Sequence, residues 1–285
     1  MGIALGLGAA LCWGFADYFA TLASRRAGTL RVVLGFHLIA TAVLAALVLG
    51  TGALADVSLG DVAPFLLLGA LGWASYLAFY RALAIGPISI VSPVVSGYAA
   101  VTVVLAVLVL DERLSGGEIA AIATALVGVV LASSDLRQIF AAERLAALGI
   151  LLALATTILI GGFVFGIAYY SDELGWLAPI FLARAFSTVL VAATAARGGR
   201  WRFPDRSPRL LATIGLIALL DTGGYVSFNV GSRHADTAIV AAASSPYAVV
   251  PIVLGVVLLA ERPARAQWAG IALVIAGLVL LALSS

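Results

Sequence analysis

The chain has 285 residues, 63% hydrophobic and 11% charged, with a formal net charge of +2 and a mean hydropathy of +1.16. A water-soluble domain carries about 45–50% apolar residues, and a globule of this composition would leave large apolar patches in water. These figures exclude a cytosolic enzyme, a nucleic-acid binder and a disordered scaffold, and they make lipid the solvent.

A bilayer core of about 30 Å takes roughly 20 apolar residues per helix, and ten such runs follow along the chain. They cover about 2–22, 31–50, 62–84, 87–110 and 117–134, then 145–170, 176–196, 209–231, 237–259 and 266–283. Transmembrane strands would be about half as long and would alternate polar with apolar residues. The expectation is therefore an all-α integral membrane protein. Connections are short, so consecutive spans run antiparallel. The first span starts at Gly2 without a basic leader and contains Trp13 and Asp17, which marks it as retained rather than cleaved. Cys12 is the single cysteine, and His37 and His234 are the two histidines. No disulfide, metal site or cofactor is expected from them.

The chain repeats itself. Residues 90–133 and 239–282 share 18 identities over 44 positions at a constant offset of 149. Ser96 matches Ser245, Tyr98 matches Tyr247, Glu112-Arg113 matches Glu261-Arg262, and Gly128 matches Gly277. The offset continues backward to Tyr76 and Tyr225, and to Phe79 and Phe228. Two five-span halves are expected, residues 1–140 and 141–285, together forming one transport domain. Five is odd, so the second half enters the bilayer inverted.

The loop charges fit that reading. The loop after the first span carries Arg25, Arg26 and Arg31, whereas its counterpart after the sixth carries Asp172 and Glu173. Asp56 and Asp61 follow the second span, and five arginines follow the seventh. Odd-numbered connections and their helix ends hold arginines 25, 26, 31, 81, 137, 144, 197, 200, 202, 206, 209, 262 and 265. By the positive-inside rule these loops are cytoplasmic and both termini lie outside.

Several residues now point to a known family. They are Trp13-Gly14 with Asp17, the stretch Tyr80-Arg81-Ala82-Leu83, and the run from Ser96 through Tyr98, Thr102 and Ala106 to Leu110-Asp111-Glu112-Arg113-Leu114-Ser115. The second copy runs from Ser245 and Tyr247 to Leu259-Ala260-Glu261-Arg262, then Gln267 and Gly270. On these residues the chain resembles, end to end, the EamA-type permeases of the drug/metabolite transporter superfamily. The family usually has Pro just after the two tyrosines; here Ala99 and Ala248 stand there, with Pro93, Pro246 and Pro251 nearby. The resemblance implies a multi-pass protein of a prokaryotic cytoplasmic (inner) membrane that transports small organic solutes, usually outward, with no ATP site and no catalysis. It also implies termini in the cytoplasm, opposite to the arginine distribution.

Polar groups at membrane depth carry the functional expectations, because a charge there costs roughly 2.5–3.5 kcal/mol even on insertion scales. Arg184 and Asp221 lie at equal depth on neighbouring antiparallel spans, so an ion pair is expected, either structural or facing solute. Asp17 and His37 share a depth too and are expected to pair. His37 aligns with Arg184 when the halves are superposed. The proton-coupling candidates are Asp17, His37, Arg184 and Asp221; the alternative for Asp17 is to neutralise Arg25 and Arg26.

The fourth and ninth spans are both interrupted by Pro amid Ser and Tyr, as in broken helices that line binding sites. Ser92, Ser96, Tyr98, Ser244, Ser245 and Tyr247 are therefore candidates for solute binding, joined by Trp13, Tyr76, Tyr80, Asp221, Tyr225 and Asn229. Ordinary helix packing is the competing role. Glu112 and Glu261 read as charge-capped turns. The fifth and tenth spans either flank the cavity or form a homodimer face. Expected partners are the lipid bilayer, a small organic solute and coupling protons. The rival functions are a proton-coupled multidrug or cation exporter, a membrane-embedded enzyme and a non-transporting membrane protein.

Overall fold

The computed structural model describes residues 1–55, 57–58, 60–86, 88–133, 144–198, 207–250, 253–254 and 265–284. Pro251, Arg137, Glu261 and Arg262 of the readings above lie outside this set, as do Asp56, Arg200, Arg202 and Arg206. Among the described residues every regular element is helical. The helices are α1 (Gly2–Ala27), α2 (Thr29–Thr51), α3 (Ala63–Ile85), α4 (Ile88–Ser96), α5 (Tyr98–Val109) and α6 (Gly116–Ser133). They continue as α7 (Arg144–Leu174), α8 (Leu177–Arg197), α9 (Pro208–Ser232), α10 (Thr237–Ser244) and α11 (Arg265–Ser284).

Local chemistry sets the helix ends. Gly28 closes α1 at a φ of 89°, a positive value that side chains disfavour, and α2 starts at the next residue. Gly52 ends α2 in the left-handed region, its N–H bonded to Val48 O. Ser207 caps α9 through Leu210 N at 3.4 Å, ahead of Pro208. The first helix outruns its expected span by five residues, from 22 to 27, which places Asp17 deeper than the hydropathy run suggests.

Among the described residues, six helices are long and apolar enough to cross a bilayer: Gly2–Ala27, Thr29–Thr51, Gly60–Ile85, Leu148–Leu174, Leu177–Arg197 and Pro208–Ser232. Val94–Val109, Gly116–Gly128 and Trp268–Leu281 are shorter apolar helices. The expected fourth span is broken at Gly97 into α4 and α5. The ninth opens as α10 and tightens into a 3-10 turn, Ser245–Ala248. Large apolar side chains such as Leu38, Leu67, Ile158, Val189 and Leu219 face outward, while His37, Arg184, Asp221 and Asn229 are buried. This inside-out arrangement suits lipid.

Packing follows the duplication. The α1–α9 pair and the α3–α7 pair are equivalent under the repeat, and α2 with α8, and α6 with α11, join like to like across the halves. Matched residues meet: the Tyr76 and Tyr225 hydroxyls are 3.2 Å apart, and the Tyr98 and Tyr247 rings lie 6.0 Å apart. At the α6–α11 seam, a Cβ on Gly128 would lie 2.5 Å from Val274 N, and one on Gly277 would lie 2.5 Å from Ala125 N. These glycines let the two backbones touch.

Candidate functional site

A cavity of about 40 Å³ sits between the halves, room for about three waters. Helical spacing builds its walls, since residues three and four apart share a face. Trp13, Ala16 and Asp17 come from α1, and Tyr76, Phe79 and Tyr80 from α3. Ile160 and Val164 come from α7, Asp221 and Tyr225 from α9. Tyr98 of α5 and Tyr247 of the 3-10 turn complete the lining.

Behind one wall lies the expected ion pair. Arg184 Nη2 donates to Asp221 Oδ2 and, at 3.1 Å, to the Tyr76 hydroxyl. Tyr76 in turn donates to Asp221 Oδ1 at 2.5 Å. The guanidinium carbon lies 4.9 Å from the Tyr76 ring centroid, 5.4 Å from Tyr225 and 5.6 Å from Phe36. Aromatic faces and a carboxylate thus replace the water that Arg184 gives up.

Opposite the pair, Trp13 packs edge-on to Tyr225 at 5.1 Å and to Tyr98 at 5.9 Å. Gly224 makes room for it: a Cβ at that position would run into the indole. Trp13 Nε1 and Asp17 Oδ2 are both buried and have no hydrogen-bond partner. An unpaired polar atom at this depth costs several kcal/mol. Asp17 lines the cavity, where something polar can complete it, whereas the indole nitrogen packs against Gly224.

The expected Asp17–His37 pair does not form. Equal depth does not give equal facing: His37 Nδ1 lies 3.0 Å from Val33 O on its own helix, and Nε2 lies 3.2 Å from Ser187 Oγ on α8. Asp17 points into the cavity instead. Of the arginines in the following loop, Arg25 donates instead to Gly86 O at 3.0 Å.

Asn229 is also not on the wall. Its amide nitrogen ties α9 to Ser171 Oγ at 2.7 Å and to Trp176 O at 3.1 Å. The four serines are buried and absent from the lining, and two of them brace tyrosines. Ser244 Oγ meets the Tyr98 hydroxyl at 2.6 Å, and Ser92 O accepts from Tyr247 at 3.1 Å. Ser245 Oγ turns back to Ala242 O, while Ser96 is buried in α4. Trp13, Tyr76, Tyr80, Tyr98, Asp221, Tyr225 and Tyr247 do line the cavity. Phe79, Ile160 and Val164 were not anticipated as lining, because an apolar wall residue carries no signal distinguishing it from lipid-facing neighbours.

Glu112, read as a charge-capped turn, caps a helix of the other half. Its carboxylate accepts from Thr237 N at 2.8 Å and Ala238 N at 3.0 Å, the N-terminus of α10. Burial raises its carboxyl above the usual range, and the two N–H bonds oppose that shift. Glu112→Ala is expected to cost about 0.5–2 kcal/mol, a typical cap loss. Glu112→Gln should retain part of it, since one amide oxygen still accepts. Thermal unfolding in detergent checks both.

Residues 1–134 and 147–283 each match the EamA-like transporter family, so the chain belongs to that family, within the drug/metabolite transporter superfamily. A solved crystal structure superposes with a TM-score of 0.76 over 99% of this chain and 96% of its own, at 18% identity, a likeness of fold. No curated protein matches the sequence.

Proposed function

We propose that this member of the EamA-like family is a secondary transporter that moves a small organic solute across the cytoplasmic membrane of a prokaryote by alternating access. The two halves, residues 1–140 and 141–285, rock about the cavity, export the solute and return a proton through Asp17. Both termini face outside, following the loop arginines. The observation behind this reading is the cavity between the halves, walled by both, with two buried polar atoms left without partners.

The volume of about 40 Å³ holds a few waters and no organic solute, which suits a contracted state of the site. The break at Gly97 and the matched 3-10 turn at Ser245–Ala248 supply the places where helices flex. Glu112 clamps the fourth and ninth spans together at one mouth, so its release would accompany opening there.

The test is counterflow in proteoliposomes. Vesicles preloaded with one unlabelled solute at a time, from a panel of amino acids, amines and lipophilic cations, receive a trace of the same labelled compound outside. At least one class should accumulate above the protein-free control. Binding of solutes with no counterflow by any of them would contradict the proposal.

A further inference from the structure

The chemistry of the lining narrows the solute class, an inference that rests on the transport reading above. Among the described residues, the charged groups on the cavity wall are Asp17 and Asp221, and no cationic side chain lines it. Arg184 neutralises Asp221 from behind the wall. Asp17 is left as a single uncompensated carboxylate, 6% exposed, with Oδ2 unpartnered. Around it stand five tyrosines, Trp13 and Phe79. Aromatic faces attract cations, most strongly where water is excluded.

We infer that the cavity, widened beyond its volume of about 40 Å³ as the halves move, binds a monovalent organic cation with an aromatic or branched apolar body, its ammonium group on Asp17 and its body against the aromatic wall. The Trp13 indole, one turn away on α1, adds an aromatic ring to this wall, its nitrogen packed against Gly224 of α9. Anions meet the uncompensated Asp17 carboxylate and are rejected. Neutral solutes leave Asp17 unpaired and gain only the apolar wall.

Asp17 has a property that separates a binding residue from a structural one. Among the described residues no partner depends on Oδ2. Asp17→Asn should therefore leave the thermal midpoint in detergent close to the native value while weakening cation binding.

The experiment is calorimetric titration of the purified full chain in detergent with phenethylamine, 2-phenylethanol and phenylalanine, which share a body and differ in charge. Phenethylamine should bind best to the native protein. A charge-assisted hydrogen bond contributes about 1.5–3 kcal/mol, so Asp17→Asn should weaken it about 10- to 100-fold. Asp17→Glu should recover part of the loss. The inference is overturned if Asp17→Asn binds phenethylamine as tightly as the native protein, or if 2-phenylethanol binds equally well. Tighter binding of phenylalanine would also overturn it, in favour of a zwitterion. Titration in detergent needs no transport: cation binding without counterflow leaves this assignment standing and removes the transporter, and counterflow of neutral solutes alone does the reverse.

Discussion

Replacing Arg184 with Met is expected to destabilise the protein by about 3–5 kcal/mol, the range for breaking one side of a buried ion pair. The loss exceeds the worth of the Arg184–Asp221 contact, because Asp221 is left charged and 4% exposed with only the Tyr76 hydroxyl to hold it. Asp221→Leu alone should cost a similar amount, since Arg184 would keep one donor bond and three aromatic faces but no counter-charge. The double variant Arg184→Met/Asp221→Leu should recover most of the stability, because neither charge then has to be held out of water. Thermal or denaturant unfolding of all four proteins in detergent gives the coupling between the sites directly. The refolded double variant should not exchange solute, since Tyr76 loses the charged pair that fixes its hydroxyl, and Tyr225 is held through Tyr76. A double variant as unstable as the worse single would show that packing, not charge, dominates there.

The second large effect is expected at Gly224. A Cβ there would overlap the Trp13 indole, so Gly224→Val must push Trp13 from its seat between Tyr98 and Tyr225. Overpacking of this kind costs about 1–3 kcal/mol. The displaced ring has little space to enter except the cavity of about 40 Å³. Counterflow should fall to background and the thermal midpoint should drop. Two companions identify the cause. Gly223→Ala, whose Cβ would meet only Cys12 Sγ at 3.6 Å, should be mild. Adding Trp13→Ala to Gly224→Val should return stability but not transport, because the site then lacks its indole. If Gly223→Ala proves equally damaging, the backbone freedom of the Gly223-Gly224 pair rather than the Trp13 seat is responsible.

What the sequence made legible, and what it did not, follows from what each kind of signal measures. Hydropathy runs and a constant offset of 149 report length and duplication, and both repeat-matched tyrosine pairs come together in space. Depth along antiparallel helices was enough for Arg184 and Asp221, which sit on consecutive helices. The same arithmetic failed for Asp17 and His37. Depth is one coordinate of a helical residue and rotation about the axis is the other. In a helix that is apolar on every side, no polar stripe reveals the rotation. Hence His37 turns to Ser187 on α8 while Asp17 turns to the cavity.

The serines misled for a related reason. A short hydroxyl beside its own backbone bonds there first, as Ser245 does with Ala242 O, whereas tyrosine is long enough to cross to the cavity. The role of Glu112 was half legible: its repeat match marked it as a structural position, but its partner, the first turn of α10, lies more than a hundred residues away.

The measurement closest to the central claim is counterflow of labelled phenethylamine into proteoliposomes carrying the native chain or Asp17→Asn, reconstituted to equal protein content. If the cavity between the halves is the transport site and Asp17 its anchor, the native protein accumulates label and the variant matches protein-free vesicles. Exchange by Asp17→Asn at the native rate would place the transported solute somewhere else in the protein.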